Sequence, residues 1–333
     1  MTKMIKKISA IAVLLSVSVL GFCNDNDQKG TSTAVFLKMI PGARPAALGN
    51  AFTGISDDIN ALYTNASGLA SLVNIEVSAT HIKWFEDINN TFISAVYPFK
   101  NNAIGLGINY LSFGEIDFRD AAGAKLKNES AYNASVSFAF SRKLSERFMS
   151  GLTVKNIIQR LGAYDGNGYA FDVSVLSKFG SVSAGASAQN LGSKIAIAGV
   201  DNDLPFTVKA GIGWVPDMPI LERKLLLGFD VESPRDDNIK IHAGAEYALQ
   251  QQLILRAGYN QVNGGFDKIG TGGKNGGLTA GIGSKTFLGQ KSIYGSEETD
   301  TENLTELIFD YALAQFSEDL GYAHRITISV KFK

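Results

Sequence analysis

The chain has 333 residues, 19% of them charged, with 35 glycines, one cysteine and a formal net charge of −1. Charge is sparser and glycine denser than in an ordinary soluble chain, and the near-neutral balance leaves no basic footprint for a nucleic-acid partner. The length suits either two globular domains or one large barrel and does not choose between them.

The chain opens MTKMIKKISAIAVLLSVSVLGFC, in which Lys3, Lys6 and Lys7 precede an apolar stretch from Ile8 to about Leu20. That stretch is too short to span a bilayer as a helix, and residues 1–23 read as a secretory signal peptide. Cleavage after Cys23 leaves Gly21 and Cys23 at the two positions a signal peptidase reads. A rival reading makes Cys23 a lipidated terminus, because Leu20 precedes it at the right spacing, although Phe22 is bulky where such signals carry a small residue. No later apolar run approaches the roughly 20 residues of a membrane helix. The exported chain is therefore either soluble or a barrel.

Residues 24–74 contain PGARPAALGNAFTGISDDINALYTNASGLA, rich in Ala and Gly and free of period-two alternation. Pro41 to Arg44 reads as a turn and Pro45 to Phe52 as a short helical stretch. Ser56, Asp57 and Asp58 can cap a second helix over Ile59 to Tyr63, and Asn65 a turn through Ser67 and Gly68. Irregular backbone of this kind is tolerated at membrane depth only when shielded from lipid, so the segment is expected to lodge inside a barrel formed by residues 75–333.

From residue 75 onward apolar and polar residues alternate. The pattern is clearest in Tyr132, Ala134, Val136, Phe138 and Phe140 against Asn133, Ser135, Ser137, Ala139 and Ser141, and it recurs at the C-terminus in Ile326, Ile328, Val330 and Phe332. The predicted strands are 75–84, 90–99, 103–112, 130–140, 148–159, 168–177, 182–190, 205–215, 223–232, 239–248, 253–260, 277–287, 304–314 and 322–332, about fourteen in all. Most are about ten residues long, the length a tilted strand needs to cross an apolar layer roughly 25 Å tall. Connections after even strands are tight at 100–102, 178–181 and 249–252, whereas 113–129, 191–204 and 261–276 after odd strands are long. That asymmetry fits periplasmic turns and external loops. The acidic stretch 288–303 breaks it, either through a miscounted strand or as a true periplasmic loop. Aromatics near segment ends, Trp84, Phe85, Tyr97, Phe99, Trp214, Tyr247, Tyr259, Phe287 and Phe332, suit interfacial girdles. A secreted sandwich, jelly roll or propeller would also give many short strands. Its outward face, however, would carry abundant charge, whereas here the polar face is mostly Gly, Ser, Ala, Thr and Asn.

Chemistry-bearing constellations are missing. His81, His242 and His324 fall in three separate strands without HxxxH or HExxH spacing, and no GxSxG elbow occurs. The glycine-rich 264–277 lacks the GK[ST] ending of a phosphate loop. Neither a metal nor another cofactor is implied. The charges on the polar face, Asp172, Lys209, Asp230, Glu232, Lys240, Glu246, Arg256, Lys285, Asp310 and Arg325, are expected to point into a lumen. A Lys or Arg facing lipid at the midplane would cost roughly 2–4 kcal/mol. Such residues either pair with one another and with the N-terminal segment or line a passage, and spacing does not separate the two.

Two groups of motifs resemble a known family. FLKMIPGARPAALGNAFTGISDDINALYTNASGLASL is similar to the N-terminal signature of the PorV/PorQ family and the wider FadL-like outer-membrane superfamily, through Gly42-Ala43-Arg44, Leu48 to Phe52, Asp57-Asp58 and Asn65 to Leu69. HIKWFEDI at 81–88 and DYALAQFSEDLGYAHRITISVKF at 310–332 resemble further family elements, so both ends of the mature chain are covered. The family's Asn-Pro-Ala is Asn65-Ala66-Ser67 here, which releases one fixed backbone angle. The resemblance implies a fourteen-stranded outer-membrane barrel with an N-terminal plug. Arg44, Gly49, Asp57, Asp58, Asn65 and Gly68 are its plug or gating candidates, and Lys209, Asp230, Lys240, Glu246, Arg256, Asp310 and Arg325 its lumen-lining ones. It implies passive transport of hydrophobic solutes such as long-chain fatty acids or, alternatively, a secretion or protein-interaction barrel with an exported protein as partner. The barrel-assembly machinery and outer-membrane lipids are partners either way. A soluble secreted enzyme is the least supported function, having no catalytic constellation.

Overall fold

Alternation closes into a barrel. The computed structural model describes residues 30–84, 88–119, 123, 125–217, 224–249, 252–261, 276–288, 305–317 and 321–332. The expected signal peptide with Cys23, the start of the N-terminal segment, Phe85, nearly all of the glycine-rich stretch and most of the acidic 288–303 lie outside them.

Strands β1 (Ile75–Lys83), β2 (Asn89–Phe99), β3 (Asn102–Arg119), β4 (Lys125–Lys143), β5 (Phe148–Leu161), β6 (Tyr164–Phe179) and β7 (Val182–Gly192) form one half of the wall. A two-stranded hairpin, β8 (Ile195–Ile197) and β9 (Val200–Asn202), interrupts the order without joining it. The wall resumes with β10 (Thr207–Trp214), β11 (Leu225–Pro234), β12 (Lys240–Ala248), β13 (Leu253–Gln261), β14 (Gly276–Leu288), β15 (Thr305–Ser317) and β16 (Gly321–Phe332). Fourteen strands pair antiparallel with their neighbours, and β1 pairs with β16 from Ile75↔Phe332 to Lys83↔His324, which leaves no sheet edge.

Both ends of this wall, Ile75 and Phe332, lie at the end that carries the two-residue turns after β2 and β6, the inner end in the usual orientation. The connection from Leu288 to Thr305 also falls there between paired strands, so no strand is miscounted. The expected long loop at 113–129 is instead mostly ladder: β3 and β4 continue to Arg119↔Lys125 through two register shifts. Beyond the lipid layer apolar alternation is no longer required, but backbone pairing persists. The outer end thus projects hairpins, and the predicted loop 191–204 is the one that holds β8 and β9.

The outward face is apolar, with Ile93, Leu106, Ile108, Phe138, Val175 and Ile328 all exposed. A surface of that extent in water would be an aggregation site, whereas in a bilayer it is the solvent-matched face. Tyr97 stacks on Phe99 at 6.2 Å, and both stand with Trp214, Phe287 and Phe332 near the inner end. Trp84 departs from the expected girdle, because it packs against an apolar cluster within the lumen.

Candidate functional site: the occupied lumen

Residues 30–74 run through the barrel. The segment begins at the outer end, where the Gly30 amide donates to the Asp236 carbonyl and the Thr33 amide to the Asp203 carbonyl. A 3-10 turn at Val35–Lys38 follows, then helix α1 (Ala43–Ala47), a bend, helix α2 (Ala61–Thr64), and a second 3-10 stretch at Ala66–Ser71 that leads into β1. Helix α1 covers Ala43 and Arg44, which the sequence placed in a turn, and ends five residues short of Phe52. Helix α2 starts two residues later than Ile59, and neither helix has a side-chain cap. Ser56 does not cap: its hydroxyl donates back to the Phe52 carbonyl at 2.9 Å.

Three kinds of contact hold the segment. The first is backbone on glycine. Gly213, Gly228, Gly244 and Gly258 occupy one continuous register row across β10 to β13. Gly54 and Ile55 lie on Gly213, Ala51 on Gly228, Leu48 on Gly244, and Leu48 with Gly49 on Gly258, in each case where a wall Cβ would stand. Strand glycines mark places where another backbone comes close, and here four of them make a track. Gly49 is fixed twice over, by a φ of 63° and by the Tyr259 backbone where its own Cβ would be. Gly68 leaves the same kind of room for the Ser56 carbonyl.

The second is charge. Arg44 reaches Asp57 at 2.6 Å, Asp58 at 2.7 Å and Glu246 at 2.8 Å, and its guanidinium lies over the Phe52 ring at 5.2 Å. Burial alone would lower the Arg44 pKa, but Asp57, Glu246 and Asp58 together hold it well above the ordinary value. Burial likewise opposes ionisation of Asp58, yet Arg44 and then Lys331 outweigh it and hold the carboxyl below its ordinary value. Arg256 extends the cluster along the wall to Glu246 and Asp310, each at 2.6 Å. Asp230 accepts the Phe52 and Thr53 amides at 3.0 and 2.7 Å.

The third is a set of long-range hydrogen bonds. The Asn65 amide donates to the Thr53 carbonyl at 2.9 Å and the Val175 carbonyl at 3.1 Å, while its oxygen accepts from Ser67 at 2.5 Å. It ties two parts of the segment to β6 and does not cap the following turn. Tyr63 is buried, which pushes its phenol pKa up, and its neutral hydroxyl donates to the Phe36 and Leu37 carbonyls at 3.2 and 3.1 Å.

Of the wall charges, Lys209 pairs with Glu232 at 2.8 Å inside the barrel, and Lys240 with Asp237 at 2.8 Å towards the outer end. Asp172 pairs with Lys155 at 2.7 Å beside the β6–β7 bulge, where Lys155 also donates to Asn190. Lys285 pairs with Glu306 at 3.3 Å. Arg325 faces the lumen without joining any of these groups. Sequence reasoning missed the glycine track, the hydroxyl role of Tyr63, the Lys38–Asp236 pair at 2.9 Å and the Lys331–Glu76 pair at 3.0 Å. Strand parity puts Glu76 and Lys331 inside, but only the register reveals partners so far apart in sequence. His81, His242 and His324 stay on separate strands, with His242 alone facing inward.

The outer part of the lumen is apolar. Phe36, Leu37 and Ala34 of the segment pack with Leu111, Ile157 and Ala170 of the wall and with Ile195 and Leu204 of the loop that carries the hairpin; Met39, Trp84, Ile88 and Ile197 border them. Ile195 fits against Gly166 and Gly168 of β6, so the hairpin covers this cluster from the side.

A closed fourteen-stranded barrel, apolar outside and occupied by its own N-terminal segment, is a transmembrane barrel of the bacterial outer-membrane type. The model of the uncharacterised protein family UPF0164 matches residues 11–209, and the chain belongs to that family. No curated protein matches it in sequence. Among solved structures it is similar to the CymD monoaromatic hydrocarbon channel, with a TM-score of 0.54, 9% identity and coverage of 87% of this chain and 96% of that one. It is similar also to a deltaS2S3 mutant of the TodX monoaromatic hydrocarbon channel, with a TM-score of 0.52, 12% identity and coverage of 87% and 98%. A Pseudomonas aeruginosa FadL homologue matches at 0.49, with 11% identity over 88% and 99% of the two chains. At these identities the likeness is one of fold, and function has to come from the site.

Proposed function

We propose that the chain is an outer-membrane conduit for passive uptake of hydrophobic solutes such as long-chain fatty acids, with residues 24–74 as its gate. The observation that carries this reading is the apolar cluster in the outer part of the lumen. A passage for ions or sugars is lined by polar groups, whereas Leu111, Ile157, Ala170 and Ile195 offer an acyl chain the surface that Phe36 and Leu37 now cover. A solute bound there reaches the inner side only if the bonds of Arg44, Asp57, Asp58 and Asn65 yield and residues 48–54, including Gly49, leave the glycine track. Gly68, seated under Ser56, belongs to the same unit. The hydrocarbon channels CymD and TodX share the fold and support the solute class. Residues 1–23 direct export, and the barrel-assembly machinery inserts the product among outer-membrane lipids. Cells carrying or lacking the chain are compared for uptake of radiolabelled oleate, and the purified protein is analysed for bound lipid. Deletion lowers uptake several-fold; unchanged uptake together with lipid-free protein refutes the reading.

A second reading, a secretion or protein-interaction barrel nearer to the PorV/PorQ motifs, is supported by how closely residues 48–54 lie on the wall. Recovery of a stable complex with one exported protein, with oleate uptake unaffected by deletion, selects it.

A further inference from the structure

Charge inside the barrel is balanced almost side chain by side chain. Lys38, Arg44, Lys155, Lys209, Arg256 and Lys331 each have a carboxylate oxygen within 3.0 Å. Two lumenal cations lack a carboxylate partner among the described residues: Lys178, which is partly exposed at the inner mouth, and Arg325, which is enclosed. Arg325 is 8% exposed, faces the lumen from β16, and has neither an ion pair nor a side-chain hydrogen bond among the described residues; its Nε is enclosed without an acceptor. Its register partners are Ala312 and Ile82, and the lumenal positions beside it on β16 are Ala323 and Thr327, none of which carries charge. Apart from Ile82, these neighbours have small side chains. Its depth is also defined: one lumenal position inward, the Thr327 hydroxyl accepts the Ala43 amide at the start of α1, and Ala312 packs on that helix. Towards the outer end, Met39 already belongs to the rim of the apolar cluster. Arg325 therefore stands where the segment passes from the apolar cluster to the charged clasp.

A guanidinium removed from water without a counter-ion is costly, and this wall supplies a carboxylate at each of the six paired cations named. Among the described residues no carboxylate answers Arg325, which leaves the position open to an anion from outside the chain. A head that fits has one negative charge and two coplanar oxygens, which match the fork of the guanidinium, and a tail attached to it would extend into the outer cluster. We propose that Arg325 seats the carboxylate head of an acyl-chain amphiphile, so that the conduit takes fatty acids in preference to neutral hydrocarbons. The proposal rests on the uptake reading above.

The full-length protein in a neutral maltoside detergent is titrated with cis-parinaric acid and with the corresponding alcohol, with binding followed by fluorescence. The wild type binds the acid roughly tenfold or more tightly than the alcohol, the ratio expected for a charge-assisted hydrogen bond. Arg325→Gln binds the alcohol as the wild type does and loses the preference for the acid, while Arg325→Lys, which keeps the charge but not the fork, retains part of it. Folding of each variant is checked by heat-modifiable gel mobility; Arg325→Gln melts no lower than the wild type without ligand, because it removes an unpaired charge. A preference for the acid that survives in Arg325→Gln overturns the proposal, as does displacement of the acid by chloride alone, which makes the position a simple ion site. Equal binding of acid and alcohol by the wild type overturns the seat and leaves the uptake reading standing. Binding of neither probe overturns both.

Discussion

Replacing Arg44 by methionine keeps an aliphatic stem against Phe52 and removes one guanidinium from three carboxylates. The loss is not total for any of them. Glu246 keeps Arg256 at 2.6 Å, Asp58 keeps the Asn60 amide at 2.8 Å, and the Asp57 side chain is already 43% exposed. Stripping one partner from a fully buried pair costs about 3–5 kcal/mol, and this remaining support places Arg44→Met at the lower bound, about 3 kcal/mol. If the cost falls on the seated state of the segment and not on the barrel, the unseated population rises roughly 150-fold. Ala46, on α1 and buried against Ala312, is a suitable reporter. In a Cys23→Ser background the only thiol of Ala46→Cys reacts with a maleimide at a rate set by how often the segment leaves the wall. Arg44→Met raises that rate by about two orders of magnitude while the heat-modifiable mobility of the barrel stays unchanged. Adding Asp58→Asn neutralises the largely buried carboxylate whose ion pair was with Arg44 and recovers part of the effect, the sign a double-mutant cycle demands. A rate that rises less than about threefold would show that the clasp does not hold the segment, and the reasoning from these ion pairs would be wrong.

The same reporter has a predictable pH response. Asp58 has a folded pKa below its ordinary value of 3.8, so its contribution is complete above that value and is lost only as pH falls through the lower folded value. Normalised at each pH to the rate of the same thiol in the denatured chain, because the thiolate is the reacting form, labelling at position 46 is therefore flat from neutral pH down to about pH 4 and rises below it, and Asp58→Asn removes most of that rise. Gly228→Val puts a branched side chain where the Ala51 backbone lies; overpacking of this kind costs about 1–3 kcal/mol, and limited proteolysis then cuts within residues 48–54 while the wall stays resistant. Tyr63→Phe removes the hydroxyl shared by the Phe36 and Leu37 carbonyls and lowers the melting temperature by an amount equivalent to about 1–3 kcal/mol, with no change in barrel mobility.

Legibility in the sequence followed the solvent. Between Tyr132 and Phe140 the outward residues must be apolar because lipid surrounds them, so alternation alone locates the strand. Past Ser112 the β3–β4 hairpin leaves the lipid, Glu115 and Asp117 replace apolar residues, and a ladder that continues to Arg119 reads as a loop. Trp84 is an aromatic at a strand end, which fits a girdle equally well until the lumenal cluster shows which way it turns. Local rules failed at Asn65 for a similar reason. A cap is the cheapest local use of an asparagine before a turn, but Val175 and Thr53 offer it partners at separations of 110 and 12 residues. Arg44 and the acidic pair could be singled out from spacing; Glu246, 202 residues away, could not be matched to them without the register. The glycine track is the extreme case, since Gly213, Gly228, Gly244 and Gly258 look unrelated until β10 to β13 are paired.

The two ends of the lumenal segment are held by different physics, and the difference separates solute entry from release. At the outer end Phe36 and Leu37 make non-directional apolar contacts, which an acyl chain can replace at little net cost because the wall loses no burial in the exchange. At the inner end Arg44 has to face Asp57, Asp58 and Glu246 together, a directional arrangement that no hydrophobic solute reproduces. Under the uptake reading the solute acts on the first set of contacts, and acid or loss of charge acts on the second. Phe36→Ala therefore changes solute affinity with little effect on the labelling rate at position 46, because the clasp is untouched. Arg44→Met does the reverse. Titration of a fluorescent fatty acid against both variants, alongside maleimide labelling of both, separates the two quantities. If each substitution moves both by the same factor, the segment leaves the lumen as one rigid body, and a two-step gate is excluded.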